Sequence, residues 1–406
     1  MHVAHINAAL AYTIGCQIMK RKLENSNLPL SRPLGFLPWM CAIALPLLGA
    51  CSDGSDNRSN GPVDPGEIPF AELFEQGIDR YLGQYKPMSS EVADNVVTHT
   101  FGTGDGPLCL DGTAYSMATR DAGSENLIIF LQGGGARWST FDGAYTSVTE
   151  PIAQLPPPEL GILDPARVDN PVRDWNLVYL PYCDGGLHSS DKDNDYDNDG
   201  IIESPQRGLH NLSAALDIAI GTFPEPRRIL LTGNSAGGFG TTFALPLVRH
   251  LYPGVPIEVV NDSGIGVGKP GEPEFLKLLL SDWNQDAFFP ASCPDCLADD
   301  GHLTNYLVWQ LDQDPQVRRG YMSYTQDSTI ADFFLGIGGP AFEAALFPEM
   351  AQAEDAHPDR VRSWIPAGNS HTFVLLEPDQ TAGGVPVMAW ITAMLDGSDD
   401  WVSVTD

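Results

Sequence analysis

The chain has 406 residues, which is enough for one large domain or two modest ones. Acidic residues outnumber basic residues by 53 to 22, and the formal net charge is −31. Binding to a phosphate backbone requires a basic face, so this charge argues against nucleic acid as a partner. A polyacidic glycan would meet the same long-range repulsion.

The first fifty residues have the pattern of an export signal. Basic residues from Lys20 to Lys22 precede an uncharged, mostly apolar run from Pro33 to Ala50. The run ends in Leu-Gly-Ala-Cys at Cys51, which resembles the bacterial lipobox. This resemblance implies a lipoprotein signal peptide over 1–50, lipidation of Cys51 and an exported bacterial lipoprotein, with the outer membrane favoured over other periplasmic or cell-surface positions. A plain signal peptide and an uncleaved anchor are the alternatives.

The residues after this cysteine divide into a tether and one domain. Residues 51–68 are polar and rich in Gly and Pro, which predicts a flexible tether from the lipidated Cys51. Residues 69–406 contain no clear linker or repeat, and we expect one domain with loop insertions. We expect a monomer that meets a membrane only through the lipid anchor.

Short apolar runs that end in Gly-, Asp- or Ser-rich turns predict buried strands. The predicted strands are 126–131, 177–180, 229–232, 257–260, 321–324 and 361–365. Helix-like stretches lie between several of them, at 208–220 and 240–250. This alternation predicts the α/β class, with a mainly parallel central sheet covered by helices on both faces. Functional groups are then expected beyond the carboxyl ends of the strands.

The strongest motif is Gly-Asn-Ser-Ala-Gly around Ser235, directly after a predicted strand and directly before a helix-like segment. This is the context of the nucleophile elbow in α/β-hydrolases. A serine in a strained turn needs neighbours without Cβ atoms, which the glycines supply. We therefore predict that Ser235 is a catalytic nucleophile, with a glycine-rich structural turn as the alternative.

A serine nucleophile needs a histidine base and an acid that orients the histidine. His371 follows the last predicted strand, where the hydrolase order Ser, acid, His places the base. Asp327 follows the predicted strand at 321–324 and is the predicted acid, with Asp262 in reserve. His188 is expected to be structural or to approach the site from a loop.

An oxyanion hole needs backbone N–H groups directed at the developing charge. Ala236 follows the predicted nucleophile and should provide one of them. Gly134 and Gly135 lie in a glycine loop after the predicted strand 126–131, and this loop resembles the HGGG loop of lipases. We predict that these three residues form the oxyanion hole.

An acidic insertion places Asp195, Asp197 and Asp199 at alternate positions before Gly200. This pattern is typical of the start of a calcium loop, although Gln206 stands where a bidentate glutamate is expected. A structural calcium site and a solvated acidic loop remain the two interpretations. No other cofactor is expected.

Four cysteines, an even number, follow the predicted signal and anchor: Cys109, Cys183, Cys293 and Cys296. An even number in an exported chain favours disulfides, and the last two predict a local disulfide. A redox motif and half of a zinc site are the alternatives for that pair. The connectivity of the set is open.

Several blocks of the chain together resemble the pectin acetylesterase and Notum family. They are CLDG at 109–112, FLQGGGARW at 130–138, PYCDG at 181–185, GLHN at 208–211, GNSAGGFGT at 233–241, NDSG at 261–264 and SHT at 370–372. The resemblance implies an α/β-hydrolase-type fold and catalytic domain over 69–406. It also implies a triad of Ser235, Asp327 and His371, with an oxyanion hole at Gly134, Gly135 and Ala236.

The predicted activity is therefore that of a serine carboxylic-ester hydrolase. It would remove an acetyl or other acyl group from a glycan or another acylated substrate, which is the expected partner. The alternative is a catalytically silent, lipid-anchored protein that binds a ligand on a hydrolase scaffold. The acyl chain length and the alcohol part of the substrate are not determined by the motifs.

Overall fold

The structure is a computed structural model that describes residues 68–139, 152–297 and 301–406. The predicted signal peptide, Cys51 and residues 51–67 of the predicted tether lie outside the described residues. Every described residue belongs to one compact unit, Pro62–Asp406.

Strands in the described residues form one large sheet and two small two-stranded sheets. The strands of the large sheet are β1 Ser89–Ala93, β2 Val96–Thr100, β3 Ser116–Arg120, β4 Asn126–Leu131, β5 Asn176–Leu180, β8 Arg228–Asn234, β9 Ile257–Asp262, β10 Val317–Met322, β11 Val361–Ile365 and β14 Val404–Thr405. The small sheets pair β6 Lys192–Asn194 with β7 Ser204–Gln206, and β12 Thr381–Ala382 with β13 Val385–Pro386.

The order of strands in the large sheet is β1-β2-β3-β5-β4-β8-β9-β10-β11-β14. The strands from β5 to β14 in this order run parallel to one another, and β1, β2 and β3 add an antiparallel edge. Because strands β4, β8, β9 and β10 lie side by side and are parallel, their carboxyl ends meet at one edge of the sheet. This edge receives the loops that carry the predicted site.

The helices are α1 Ala71–Glu75, α2 Gly208–Thr222, α3 Ala236–Leu251, α4 Glu274–Asp282, α5 Thr304–Gln313, α6 Gly339–Ala356 and α7 Val387–Asp396. Strand β4 shows how they cover both faces. Leu127 and Ile129 face the core shared with α2 and α3, whereas Ile128 and Phe130 face the core that contains Trp390 of α7. The predicted mainly parallel sheet with helices on both faces is confirmed.

One observed strand differs in position from its prediction, and other observed strands were not predicted. The strand predicted at 321–324 is β10, which begins at Val317. Its early residues Arg318 and Arg319 hid it from a search for apolar runs, although Arg319 is buried and hydrogen-bonded to Gln310 of α5. Strands β1 and β2 are exposed or half-buried along their whole length and have no apolar pattern that would predict them.

Both disulfides join cysteines within the set of four. Cys109 pairs with Cys183, and Cys293 pairs with Cys296, so the predicted local disulfide is confirmed. The first bond links residues 74 positions apart and stabilises the fold mainly by restricting the unfolded chain.

The turn from β8 into α3 packs without space for side chains. A Cβ atom at Gly237 would lie 1.9 Å from the carbonyl oxygen of Leu131 at the end of β4, which is far inside van der Waals contact. The first turn of α3 therefore lies directly against the backbone of the neighbouring strand. Only glycine fits there without moving the helix away from the sheet.

We expect Gly237→Ala to destabilise the fold by more than about 3 kcal/mol, because backbone atoms cannot move aside as a flexible side chain can. Gly221→Ala is the matched control, since it lies in α2 and a Cβ there meets nothing within 4 Å. Alanine at position 221 should leave stability unchanged or raise it by up to about 1 kcal/mol. Urea unfolding of both variants measures the difference, and equal midpoints would contradict the close packing.

Candidate active site

Ser235 occupies the turn between β8 and α3 in a strained backbone conformation. Its φ is 56° and its ψ is −122°, a region that side chains with a Cβ rarely adopt. Two hydrogen bonds hold the turn: the Ser235 N–H donates to the Asp262 carbonyl at 2.7 Å, and the Ser235 carbonyl accepts from the Phe239 N–H at 3.1 Å. This is the sharp strand-to-helix bend that the sequence predicts for a nucleophile elbow.

The glycine loop after β4 lies directly on this turn. A Cβ at Gly133 would lie 2.3 Å from the carbonyl oxygen of Asn234 and 2.8 Å from the Cβ of Ser235. The Gly133 N–H donates to the side-chain oxygen of Asn234 at 3.2 Å. The structure therefore brings the predicted oxyanion loop and the predicted nucleophile together.

His371 and Asp327 form a short, buried pair. The Nδ1 atom of His371 lies 2.7 Å from Oδ2 of Asp327, and the two side chains are 10% and 0% exposed. The other carboxylate oxygen of Asp327 accepts the N–H groups of Thr329 at 3.0 Å and Ile330 at 3.1 Å, where a π-helical turn begins. An ionised carboxylate only accepts hydrogen bonds, so the neutral imidazole carries its proton on Nδ1.

The remaining ring nitrogen of His371, Nε2, is buried and has no hydrogen-bond partner in the described part of the chain. With the proton on Nδ1, this nitrogen presents a lone pair. A buried polar atom without a partner requires an explanation. A role as a catalytic base supplies one, because the lone pair of such a base must be free to accept a proton from the attacking group.

The loops that carry the acid and the histidine are bound to each other by hydrogen bonds. The Gln326 N–H donates to the Gly368 carbonyl at 2.9 Å, and the Ser328 hydroxyl donates to the Asn369 carbonyl at 2.8 Å. Gln326 and Ser328 flank Asp327 in the sequence, and Gly368 and Asn369 shortly precede His371. They fix the distance between the two side chains independently of the charge interaction.

Asp262, the reserve candidate for the acid, has a different position. Its buried carboxylate accepts the N–H groups of Phe373 at 2.8 Å and Val374 at 2.9 Å, just after His371, while its carbonyl accepts the Ser235 N–H. One residue at the end of β9 thus connects the turn of Ser235 to the loop of His371. Burial raises the pKa of Asp262 to about 6, against the lowering effect of these N–H donors.

The predicted oxyanion residues lie at the start of α3 and on the glycine loop after β4. Ala236 is the first residue of α3, so its N–H has no carbonyl within the helix to bind. Gly134 packs on the ring of Tyr182, because a Cβ there would lie 2.5 Å from Cδ1 of that ring. The Tyr182 hydroxyl donates to the Gly135 carbonyl at 2.8 Å, which fixes the orientation of the loop.

A narrow apolar cavity lies beside the first turn of α3. Its lining includes Phe239 and Phe243 of α3, Phe334 of the π-helical turn after Asp327, and Trp283. Its volume of about 20 Å³ corresponds to space for about one small group. The apolar walls suit a short hydrocarbon group.

The acidic insertion between β6 and β7 gathers four carboxylates. Ligand oxygens of Asp195, Asp197, Asp199 and Glu203 all lie within 4.8 Å of one another. Glu203 was not predicted, because the calcium-loop pattern places the glutamate at position 206. Gln206 instead accepts a hydrogen bond from Asn194. The glutamate that joins the cluster therefore comes earlier in the chain than the pattern requires. Calcium binding stays a prediction.

The sequence did not predict the contacts of Asn234, Tyr182 and His188, which hold the glycine loop. His188 is buried, and its Nε2 lies 2.8 Å from the Gln132 carbonyl. The expectation that His188 is structural or near the site agrees with this position. The only sequence feature that pointed to His188 was its position shortly after the PYCDG block. Contacts between loops that are distant in the chain leave no local pattern in the sequence.

The fold and this constellation define a protein of the α/β-hydrolase type. Residues 90–271 match the family model described as Pectinacetylesterase. Pectin acetylesterase 4 of Arabidopsis thaliana is 28% identical over 175 residues, which cover 39% of this chain and 41% of that protein. Pectin acetylesterase 5 of the same plant is 26% identical over 181 residues, which cover 41% of this chain and 40% of that protein.

The family model and both relatives support the pectin acetylesterase family for this chain, and the resemblance predicted from the sequence is confirmed. The chain spans about two fifths of the length of the curated relatives it matches.

The predicted localisation as an exported bacterial lipoprotein is wrong. The relatives are plant pectin acetylesterases rather than bacterial lipoproteins. Among the helices of the described residues, none has the length and apolar character needed to span a bilayer. The prediction relied on a basic and apolar N-terminal pattern and on the four residues that end at Cys51, and such short patterns have little power to exclude chance.

The raised pKa of Asp262 predicts a pH-dependent stability. An unfolded aspartate loses its proton near its ordinary pKa of 3.8, whereas folded Asp262 retains its proton up to about 6. The folded state therefore binds more protons in this window, and the Asp262 contribution to stability falls as pH rises. Relative to Asp262→Asn, the wild type should lose about 2 kcal/mol of unfolding free energy between about pH 4.5 and pH 7.

Urea unfolding at the two pH values measures this difference under non-reducing conditions. A wild-type minus variant difference that is constant with pH would contradict the raised pKa. Asp217→Asn is a useful comparison. Burial also raises the pKa of Asp217, but this residue belongs to α2 and not to the loops around Ser235.

The carboxylate cluster predicts that millimolar Ca²⁺ raises the melting temperature by a few degrees, because a ligand bound only by the folded state stabilises it. Asp195→Asn combined with Asp197→Asn should abolish the shift, and the exposed control Asp174→Asn should retain it. Differential scanning fluorimetry with Ca²⁺ and Mg²⁺ measures the effect. No shift with either ion would leave the solvated acidic loop as the correct interpretation.

Proposed function

We propose that this protein is a serine carboxylic-ester hydrolase of the pectin acetylesterase type, acting through Ser235, His371 and Asp327. The observation that carries the proposal is the Asp327–His371 pair, which leaves the buried Nε2 of His371 without a hydrogen-bond partner among the described residues. Ser235 lies in a strained strand-to-helix turn. Asp262 supports the same reading, because it binds the backbone of both catalytic loops.

In the acylation step, His371 Nε2 accepts the proton of the Ser235 hydroxyl while the oxygen attacks the ester carbonyl. Asp327 holds the imidazole in the required tautomer and stabilises the imidazolium that forms. The N–H groups of Ala236, Gly134 and Gly135 stabilise the negative oxygen of the tetrahedral intermediate. The intermediate collapses as His371 returns the proton to the leaving alcohol, which gives an acyl-Ser235 enzyme.

In the deacylation step, His371 removes a proton from water, and the hydroxide attacks the acyl-Ser235 carbonyl. A second tetrahedral intermediate forms at the same N–H groups. Its collapse releases the carboxylic acid and returns the proton from His371 to Ser235. The products are the free alcohol and the acid, and no redox partner is required.

Two features favour an acetyl group on a glycan. The cavity of about 20 Å³ beside Phe239 and Phe334 has room for a methyl-sized group. The relatives are pectin acetylesterases, so an acetylated glycan is the natural candidate substrate. The net charge of −31 disfavours a glycan with many free carboxylates, and an esterified or neutral glycan fits better.

A panel of nitrophenyl esters tests the proposal. The wild type should hydrolyse the acetyl ester faster than the octanoyl ester, and Ser235→Ala should lower kcat by at least about 10⁴-fold without changing the melting temperature. Ser90→Ala on the exposed edge strand is the control and should keep full activity. Substantial turnover by Ser235→Ala would reject the nucleophile.

Phe334→Ala separates the role of the cavity from the role of the triad. Removing this ring should raise the rate on longer acyl esters relative to acetyl, because the wall of the cavity retreats. Absence of turnover by the wild type on every ester, together with tight binding of an acylated glycan, would favour the silent binding protein instead.

A further inference from the structure

The peptide group between Gln132 and Gly133 is held at both ends. Its carbonyl oxygen lies 2.8 Å from Nε2 of His188, and its N–H donates to the side-chain oxygen of Asn234 at 3.2 Å. A peptide group is planar, so a hydrogen bond at each end fixes the rotation of the whole plane. We call this arrangement the peptide clamp of His188 and Asn234.

The clamp lies immediately before the proposed oxyanion donors. Rotation of the Gln132–Gly133 plane would turn the next peptide, which carries the Gly134 N–H. Gly133 has no side chain to resist such rotation, and its Cα lies close against Ser235. Asn234 precedes Ser235 in the chain, so one end of the clamp belongs to the nucleophile turn itself.

His188 is built rigidly into its position. Its backbone has a φ of 62°, and its N–H donates to the buried carboxylate of Asp184 at 3.2 Å. Its ring packs against Tyr182, with 4.9 Å between ring centroids, and a Cβ at Gly240 would approach the ring to 3.0 Å. These contacts hold the ring in place beside the carbonyl of Gln132.

The hydrogen bond of His188 defines its protonation. A carbonyl oxygen only accepts, so Nε2 of His188 must carry a proton. Burial lowers the pKa of His188 and favours the neutral ring. When the imidazole is neutral and Nε2 carries the hydrogen, Nε2 donates to the Gln132 carbonyl and cannot accept a proton there. His188 therefore contributes by fixing the orientation of the Gln132 carbonyl.

We propose that His188, acting with Asn234 on one peptide, is a positioning residue that orients the glycine loop toward the oxyanion of the reaction. This inference rests on the proposed ester hydrolysis. Because the negative oxygen exists only in the tetrahedral transition state, the clamp lowers the barrier and leaves substrate binding unchanged. Its loss reduces kcat and hardly affects KM.

Two substitutions at His188 separate the hydrogen bond from the packing. His188→Met fills the space but cannot donate to Gln132, whereas the Nε2 of glutamine in His188→Gln can donate from a similar place. We expect His188→Met to lower kcat roughly 10-fold to 100-fold with KM within about 2-fold, since loss of one oxyanion donor costs about 10² to 10³. His188→Gln should restore most of this loss.

Affinity for a boronic acid gives a readout that a purely structural role would not move. A boronate bound to Ser235 imitates the tetrahedral intermediate, so its inhibition constant should rise by the same factor by which kcat/KM falls in His188→Met. Melting temperatures of the two His188 variants should agree. His99→Gln on strand β2 is the matched control and should leave all constants unchanged.

The results separate this inference from the proposed function. If His188→Met and His188→Gln have equal kcat, or if the loss follows the melting temperature, the clamp is wrong even though the wild type hydrolyses esters through Ser235. If the wild type shows no Ser235-dependent turnover, the proposed function fails first, and boronate binding also disappears.

Discussion

The site depends on one residue at the end of β9. Asp262 accepts the Ser235 N–H with its carbonyl, and its carboxylate accepts two N–H groups directly after His371. The proposed nucleophile and base lie on loops that are far apart in sequence, and only the sheet brings them to one edge. Asp262 is a stiff connection, because moving the His371 loop would leave a buried carboxylate without its donors, and moving the Ser235 turn would leave a buried backbone carbonyl unpaired.

Close packing of glycines makes this connection effective. Leu131 and Gly237 touch backbone to backbone, Gly133 touches the Ser235 turn, and Gly134 touches Tyr182. Each contact removes the space in which a loop could rotate. Preorganised N–H groups stabilise a developing charge without reorganisation during the reaction, and this is where most of the catalytic advantage of such sites arises. The His188 clamp extends the same logic one peptide further from the chemistry.

The sequence predicted those parts of the fold that leave a local pattern. Strand 126–131 and strand 361–365 were predicted with their observed ends, because both are largely buried. The first reads as a nearly continuous apolar run, as expected of a strand covered on two faces. Strands β1 and β2 were missed, since exposed or half-buried strands carry polar residues. Strand β10 was displaced, because Arg319 is buried through its hydrogen bond to Gln310 rather than through an apolar side chain.

For the site, the motif located Ser235 and chain order located His371, but neither could choose between two buried aspartates. Asp262 and Asp327 both follow strands, and only the fold shows that Asp327 contacts the ring while Asp262 binds backbone. The contacts of His188 and Asn234 were beyond prediction because they join loops that are distant in sequence. The lipoprotein prediction failed because it relied on short N-terminal patterns, which have little power to exclude chance.

The central claim is that Ser235 is activated by His371. Labelling with a fluorophosphonate probe, followed by peptide mapping, measures it most directly, because the probe reacts with a serine that a base has activated. We predict one label per chain on the peptide that contains Ser235, and a loss of at least about 10²-fold in labelling rate for His371→Ala. Labelling of another serine, or labelling of Ser235 at an unchanged rate in that variant, would contradict the account.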